Sequence, residues 1–182
     1  PITVTLGSNP NYTVAPTDGT LTIGQKAATV TADDKSKTYG DDNPALTATV
    51  TGTVNGDTLN YSLATTAAKF SNAGTYPITV ALGSNPNYTV TPTNGTLTVT
   101  PKAATVTADN KSKTYGDDNP ALTATVTGTI NGDTLNYSLS TTAGKFSNVG
   151  SYPITVTLGS NPNYMVTPTN GTLTVTPKAA TV

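Results

Sequence analysis

A stretch of sixteen residues, KTYGDDNPALTATVTG, stands at residues 37–52 and returns letter for letter at 113–128. A chain that carries the same segment twice is read as folding the same unit twice. The period is 76 residues: 26–101 and 102–177 differ only at Asp34/Asn110, Val54/Ile130, Ala64/Ser140, Ala68/Gly144, Ala73/Val149, Thr75/Ser151, Ala81/Thr157 and Thr89/Met165. Residues 1–25 repeat the last third of the unit, and 178–182 repeat its opening. The chain therefore reads as the C-terminal part of one repeat (1–25), two full repeats (26–101 and 102–177) and the start of another (178–182). It is expected to be cut from a longer array.

Inside the unit, a turn cluster feeds a strand. Tyr39-Gly40-Asp41-Asp42-Asn43-Pro44 is rich in turn-forming residues, and Leu46, Ala48 and Val50 then alternate with Thr47, Thr49 and Thr51. Residues 28–32 predict a strand with Val30 inward, and 33–44 a long polar connection. Asn55-Gly56-Asp57 turns the chain into Leu59, Tyr61 and Leu63 at period two. Residues 64–72 read as a short strand or one helical turn around Phe70. Tyr76, Ile78, Val80 and Leu82 form the next inward row, with Pro77 at an edge or a non-bonded position. Tyr88-Val90 and Leu97-Val99 are expected to form a closing hairpin over Asn94-Gly95, the favoured type I′ dipeptide. Residues 1–25 predict three strands on the same pattern, orphaned from the strands that should precede them, which either pair with a neighbour or stay mobile.

About seven short strands with regular turn signals suggest an all-β protein of tandem small β-sandwiches, immunoglobulin-like, with a β-grasp-like unit as the alternative. The core falls to Val30, Tyr39, Leu46, Val50, Val54, Leu59, Tyr61, Leu63, Phe70, Tyr76, Ile78, Val80, Leu82, Tyr88, Val90, Leu97 and Val99. So small a unit is expected to draw part of its stability from its neighbours. The join Thr100-Pro101-Lys102 has no flexible run and predicts stiff end-to-end units, although Gln25 stands where the other junctions have Pro101 and Pro177.

The chain has no Cys, His, Trp, Arg or Glu, and nine Lys against ten Asp leave a net charge of −1. So weak a field gives no basis for binding nucleic acid or an anionic membrane. No apolar run is long enough to span a bilayer. Without His or Cys as base or nucleophile, or a glycine-rich phosphate loop opening a helix, the expectation is a protein that is not an enzyme.

The ordered series YGD–NPAL, NGD, G-(T/S)-YPITV and NGTLTV, present in both repeats, resembles the MBG (mostly beta, glycine-rich) repeat family of bacterial surface proteins. The resemblance covers essentially the whole chain. It implies tandem β domains in long secreted or surface-anchored adhesins, without catalytic activity, and brings no site residues with it.

Asp33, Asp34, Asp41, Asp42 and Asp57, with Asp109, Asp117, Asp118 and Asp133 in the second repeat, are calcium candidates, because turns rich in Asp and Asn can supply the six to eight oxygens that calcium takes. Their spacing does not fit an EF-hand loop, and capping of their own turns is the competing reading. Lys69 and Lys145, each beside Phe, are the best donors for a Lys–Asn isopeptide crosslink, and solvated lysine is the ordinary alternative. The Thr-x-Thr rows suggest an ice-binding face only if the sheets are flat, whereas small sheets twist.

The primary expectation is a structural stalk or spacer of an extracellular bacterial surface adhesin or fibre, whose partners are neighbouring repeats. The alternatives are repeats that adhere themselves, to glycans or to each other, and a fibre built by strand exchange through residues 1–25.

Overall fold

The computed structural model describes residues 1–181; Val182, the last residue of the segment expected to open a further repeat, lies outside them. The first repeat contains β1 (Lys26–Ala32), β2 (Lys35–Thr38), β3 (Ala48–Thr51), β4 (Tyr61–Thr65), β5 (Gly74–Leu82), β6 (Tyr88–Thr93) and β7 (Gly95–Thr100). The second repeats them as β8 (Lys102–Ala108), β9 (Lys111–Thr114), β10 (Ala124–Thr127), β11 (Tyr137–Thr141), β12 (Gly150–Leu158), β13 (Tyr164–Thr169) and β14 (Gly171–Thr176). No helix occurs among the described residues, so the β-grasp alternative, a sheet closed over a helix, is not formed.

Each unit is a small sandwich of two mixed sheets, ordered β3-β1-β6 and β4-β5-β7-β2 in the first repeat. β1 is antiparallel to β3 but parallel to β6, and β7 is antiparallel to β5 but parallel to β2. The two parallel pairings distinguish it from a purely antiparallel immunoglobulin sandwich. They arise because the chain crosses between the sheets twice, side by side, from β1 to β2 and from β6 to β7. The backbone N–H of Thr96 donates to Asp34 Oδ1 at 2.7 Å, which ties the crossings together.

That geometry corrects the expected hairpin. Asn94-Gly95 is a crossover between sheets, and Asn94 Oδ1 accepts the backbone N–H of Val80 at 3.0 Å. Glycine is needed at 95 for proximity, since a Cβ there would lie 2.6 Å from the carbonyl oxygen of Ala32. The tight turn with two left-handed residues lies instead at Asn55-Gly56 (φ 59° and 74°), closed by Asp57 N–H to the carbonyl of Val54 at 3.0 Å.

The core sits between the sheets. Ala28 and Val30 of β1 pack with Leu59, Tyr88 and Val80, while Ala32, Ile78 and Leu97 make a second cluster with Leu46, Leu63 and Tyr76. Val30, Ile78 and Leu97 are wholly buried, each worth about 1.5–3 kcal/mol. Of the residues assigned to the core, Val54, Phe70 and Leu82 are exposed instead. The 33–44 connection also holds an unexpected strand, β2, whose inward residue is a buried lysine, Lys37. Pro77 lies beyond the end of the β4–β5 ladder, which begins at Ile78, so its missing N–H leaves no gap there.

Residues 1–25 do not form the three strands expected of them. One isolated bridge joins Ile2 to Gly19. It keeps the register of Ile78 with Gly95, and Val4 N–H donates to Asp18 Oδ1 at 3.1 Å just as Val80 does to Asn94. The segment lacks the strands that would flank it in a full unit, and every one of its residues is exposed. A two-stranded contact without a covered face cannot extend into a stable ladder.

Candidate functional site

The site with the most defined geometry is the joint between the two repeats. Its first half starts at Lys37. Among the described residues no carboxylate pairs with it, and the buried ammonium is satisfied by main-chain oxygens: it donates to the carbonyls of Ala68 at 2.6 Å and Asp41 at 3.1 Å, with a longer contact to that of Lys69 at 3.4 Å. This ties the Tyr39-Gly40-Asp41 turn to the loop carrying Phe70. The exposed ion pair Lys69–Asp42, at 3.2 Å, bridges the same two loops. The Tyr39 and Phe70 rings meet edge-on with centroids 6.3 Å apart.

The second half belongs to the other repeat. The turn at Asn131-Gly132 sets Asp133 beside Tyr164, the first residue of β13. Tyr164 donates its hydroxyl to Asp133 Oδ2 at 2.6 Å and accepts the N–H of Ile130 at 3.2 Å.

The halves meet as knob and socket. The Tyr39 hydroxyl donates to the same Oδ2 of Asp133 at 2.8 Å, and its ring packs edge-on to Tyr164 with centroids 5.6 Å apart. Gly40 (φ 88°) passes so close to Ile130 that a Cβ would overlap the Ile130 Cδ1 methyl. Alongside, Asn163 accepts the N–H of Ala73 at 2.8 Å and donates to Asn72 Oδ1 at 2.9 Å. Tyr39 belongs to the hydrophobic cluster of the second repeat, so the core runs through the joint. Tyr39 is 3% exposed, whereas its equivalent Tyr115 is 40% exposed; Phe70 is 44% and its equivalent Phe146 70%.

Hydrogen bonding to Asp133, with burial added, raises the Tyr39 phenol above its ordinary pKa, and burial followed by the Asp133 bond does the same for Tyr164. Tyr88 is raised chiefly by its bond to Asp57. In each case the neutral phenol is the form that donates.

The structure disperses the aspartates proposed for calcium. Asp33 accepts the hydroxyls of Thr47 and Thr49, which hold its carboxyl below the usual range, and Asp109 is lowered first by Thr123 and also by Thr125. Asp34 fastens the crossover at Thr96, a role Asn110 performs at Thr172. Asp42 and Asp118 pair with Lys69 and Lys145. Asp41 and Asp117 offer main-chain carbonyls to Lys37 and Lys113. Asp57 and Asp133 take the tyrosine hydroxyls. Among the described residues no three acidic side chains converge on a point where a metal would sit. Lys69 and Lys145, the proposed isopeptide donors, are solvent-facing, and the buried lysines are Lys37 and Lys113. The joint residues Tyr39 and Phe70, and Tyr164 through its equivalent Tyr88, are legible in the sequence only as core. The one available signal was an aromatic next to a turn glycine in each repeat.

Fold and joint together define a class, tandem all-β repeat units that dock knob into socket. The pattern of the MBG domain, YGX type, matches residues 28–98 and again 104–174, and the chain belongs to that family. The Tyr-Gly-x of that description stands here as Tyr39-Gly40-Asp41 and Tyr115-Gly116-Asp117, the turn that supplies the knob. No curated protein matches the chain. No helix among the described residues is long and apolar enough to cross a membrane.

Proposed function

We propose that this chain is a segment of a rigid stalk or spacer in an extracellular adhesin or fibre at a bacterial surface, holding a distal binding region away from the cell. The mechanism is mechanical rather than chemical. Each repeat carries a knob and a socket at different places, since the second repeat fills its socket while its own Tyr115 stays exposed. Units of this kind stack in one direction, with a bonded, desolvated contact at each joint in place of a flexible linker.

The observation that carries the reading is the Tyr39–Asp133–Tyr164 joint. A bending motion there would have to expose Tyr39 and strip a donor from Asp133, a cost of the kind that keeps domain pairs from moving freely. Small-angle scattering of the chain tests it. A single globule of 182 residues would have a radius of gyration of about 16 Å. The expected value lies well above about 20 Å and is unmoved by a calcium chelator. A value near the globular figure, or one that collapses on chelation, would sink the metal-free stalk.

A further inference from the structure

We infer that the edge strands β4 and β11 pair antiparallel with the same strands of a second copy of this chain, so that copies associate side by side. The four sheet edges of each sandwich are of two kinds. Two are guarded against pairing: β6 carries Pro92, which has no N–H to offer, and β2 carries Lys35 and Lys37. The other two, β3 and β4, contain neither a charge nor a proline, and they bond only to β1 and to β5 respectively.

The unguarded edges β3 and β4 line one cleft between the two sheets. Their inward residues Leu46, Ala48, Tyr61 and Leu63 are only half-buried there, whereas Val30, Ile78 and Leu97 on the central strands are wholly buried. The second repeat has the same cleft between β10 and β11. It is open both in the first repeat, whose Tyr39 turn is docked, and in the second, whose Asp133 socket is filled. Joining units end to end therefore leaves it uncovered.

The main chain of these edges is in register for self-pairing. Gly83 N–H donates to the carbonyl of Asn60 at 2.9 Å, so Ser62 and Ala64 turn their backbone groups toward β5. Tyr61, Leu63 and Thr65 turn theirs outward. With Leu63 opposite Leu63 of the second copy, Tyr61 falls opposite Thr65, and each outward N–H meets a C=O. Asp33 N–H donates to the carbonyl of Thr47 at 2.9 Å, which leaves Ala48 and Val50 facing outward in the same way.

Two edges on sheets about 10 Å apart decide the occupant. A single extended peptide could satisfy one of them, whereas the same side of another copy presents both at the matching spacing. With no charge on either strand, copies meet without like-charge opposition, and their half-buried apolar rows cover each other. The contact is isologous, made by the same surface on both copies. It uses the sides of the units, so it stands independently of the stalk reading, which rests on the joint.

Sedimentation equilibrium of the full chain from about 10 μM to about 1 mM tests the pairing. The average mass should rise with concentration, and hydrogen exchange at the Leu63 and Leu139 amides should slow in step. Ser62 and Ala64 are exposed, and the register sets each opposite the other across the pair. Ser62→Lys, Ala64→Lys, Ser138→Lys and Ser140→Lys together oppose like charges and should weaken association about tenfold or more. Aspartate at the same four positions should do the same, and an equimolar mixture of the two variants should recover the association. That recovery separates repulsion at the edge from a folding defect. A chain monomeric throughout the range, association that survives both sets of substitutions, or a mixture that recovers nothing would overturn the inference. So would a peptide of residues 59–67 that protects the Leu63 amide while the chain stays monomeric, because an isolated strand would then be the occupant.

Discussion

Tyr39 and Asp133 are 94 residues apart in sequence and share a hydrogen bond of 2.8 Å across the joint between repeats. Tyr115, in the same sequence context as Tyr39, has no such partner among the described residues and lies 40% exposed. The pair of tyrosines is thus an internal control, with one position docked and its equivalent undocked.

Tyr39→Phe removes the bond but keeps the ring, and should cost about 0.5–1.5 kcal/mol. Tyr115→Phe should stay within about 0.5 kcal/mol of the parent. Urea denaturation of the two variants checks this, and equal losses would mean that the joint contributes nothing.

Gly40 and Gly116 have the same left-handed backbone, φ 88° and 89°, so alanine strains both alike. Only at 40 does the new methyl also overlap Ile130, while Gly116 has just the end of Lys178 at 4.0 Å. Gly40→Ala should therefore be the worse by about 1–3 kcal/mol of overpacking. Adding Ile130→Ala should recover part of that difference in a double-mutant cycle. An additive cycle would show that the two sites are not in contact.

Lys37→Met retains most of the stem but leaves the carbonyls of Asp41 and Ala68 without their donor, a loss of about 1–3 kcal/mol. Lys69→Met breaks only an exposed ion pair and should cost less than about 1 kcal/mol. Thermal denaturation of the two variants separates the buried lysine from the exposed one, and a larger effect at Lys69 would contradict the assignment.

Stability should fall at both ends of the pH scale. The phenols of Tyr39, Tyr88 and Tyr164 are raised in the fold, so the stabilisation they supply is complete below the ordinary tyrosine value of about 10. It is lost as pH rises through the folded values, because the unfolded chain ionises first. The carboxyls of Asp33 and Asp109 are lowered, so their contribution is complete above the ordinary aspartate range and is lost as pH falls through the folded values. Ultraviolet titration should show the phenols of Tyr39, Tyr88 and Tyr164 ionising above the ordinary tyrosine value, and their Phe variants should remove that late phase. A titration in which those three substitutions change nothing above the ordinary value would count against the buried hydrogen bonds.

Much of the fold was legible locally. Alternation at Leu46–Thr51 and at Tyr76–Leu82 gave β3 and β5, because a strand with one covered face writes a period of two into its sequence. β2 left no such trace, since Lys-Ser-Lys-Thr has no apolar residue and its inward side chain is a lysine satisfied by carbonyls from distant loops. Asn94-Gly95 misled for a related reason. The glycine is required by the approach of Ala32, more than sixty residues upstream, and not by the turn its neighbours suggest. The aspartates lie close in sequence, so both calcium binding and turn capping fit them, whereas the fold sends Asp33 to threonine hydroxyls, Asp42 to Lys69 and Asp57 to Tyr88.

The sequence by itself determined the repeat, its period, the all-β character and the inward positions of Val30, Ile78 and Leu97, all of which depend on patterns within a single unit. Only the tertiary structure decided that Tyr39 meets Asp133 in a joint. Tyr39 and Tyr115 lie within identical stretches, so no local rule can tell them apart. Their difference comes from the surface placed against them, because burial and hydrogen bonding are properties of a contact and not of a residue.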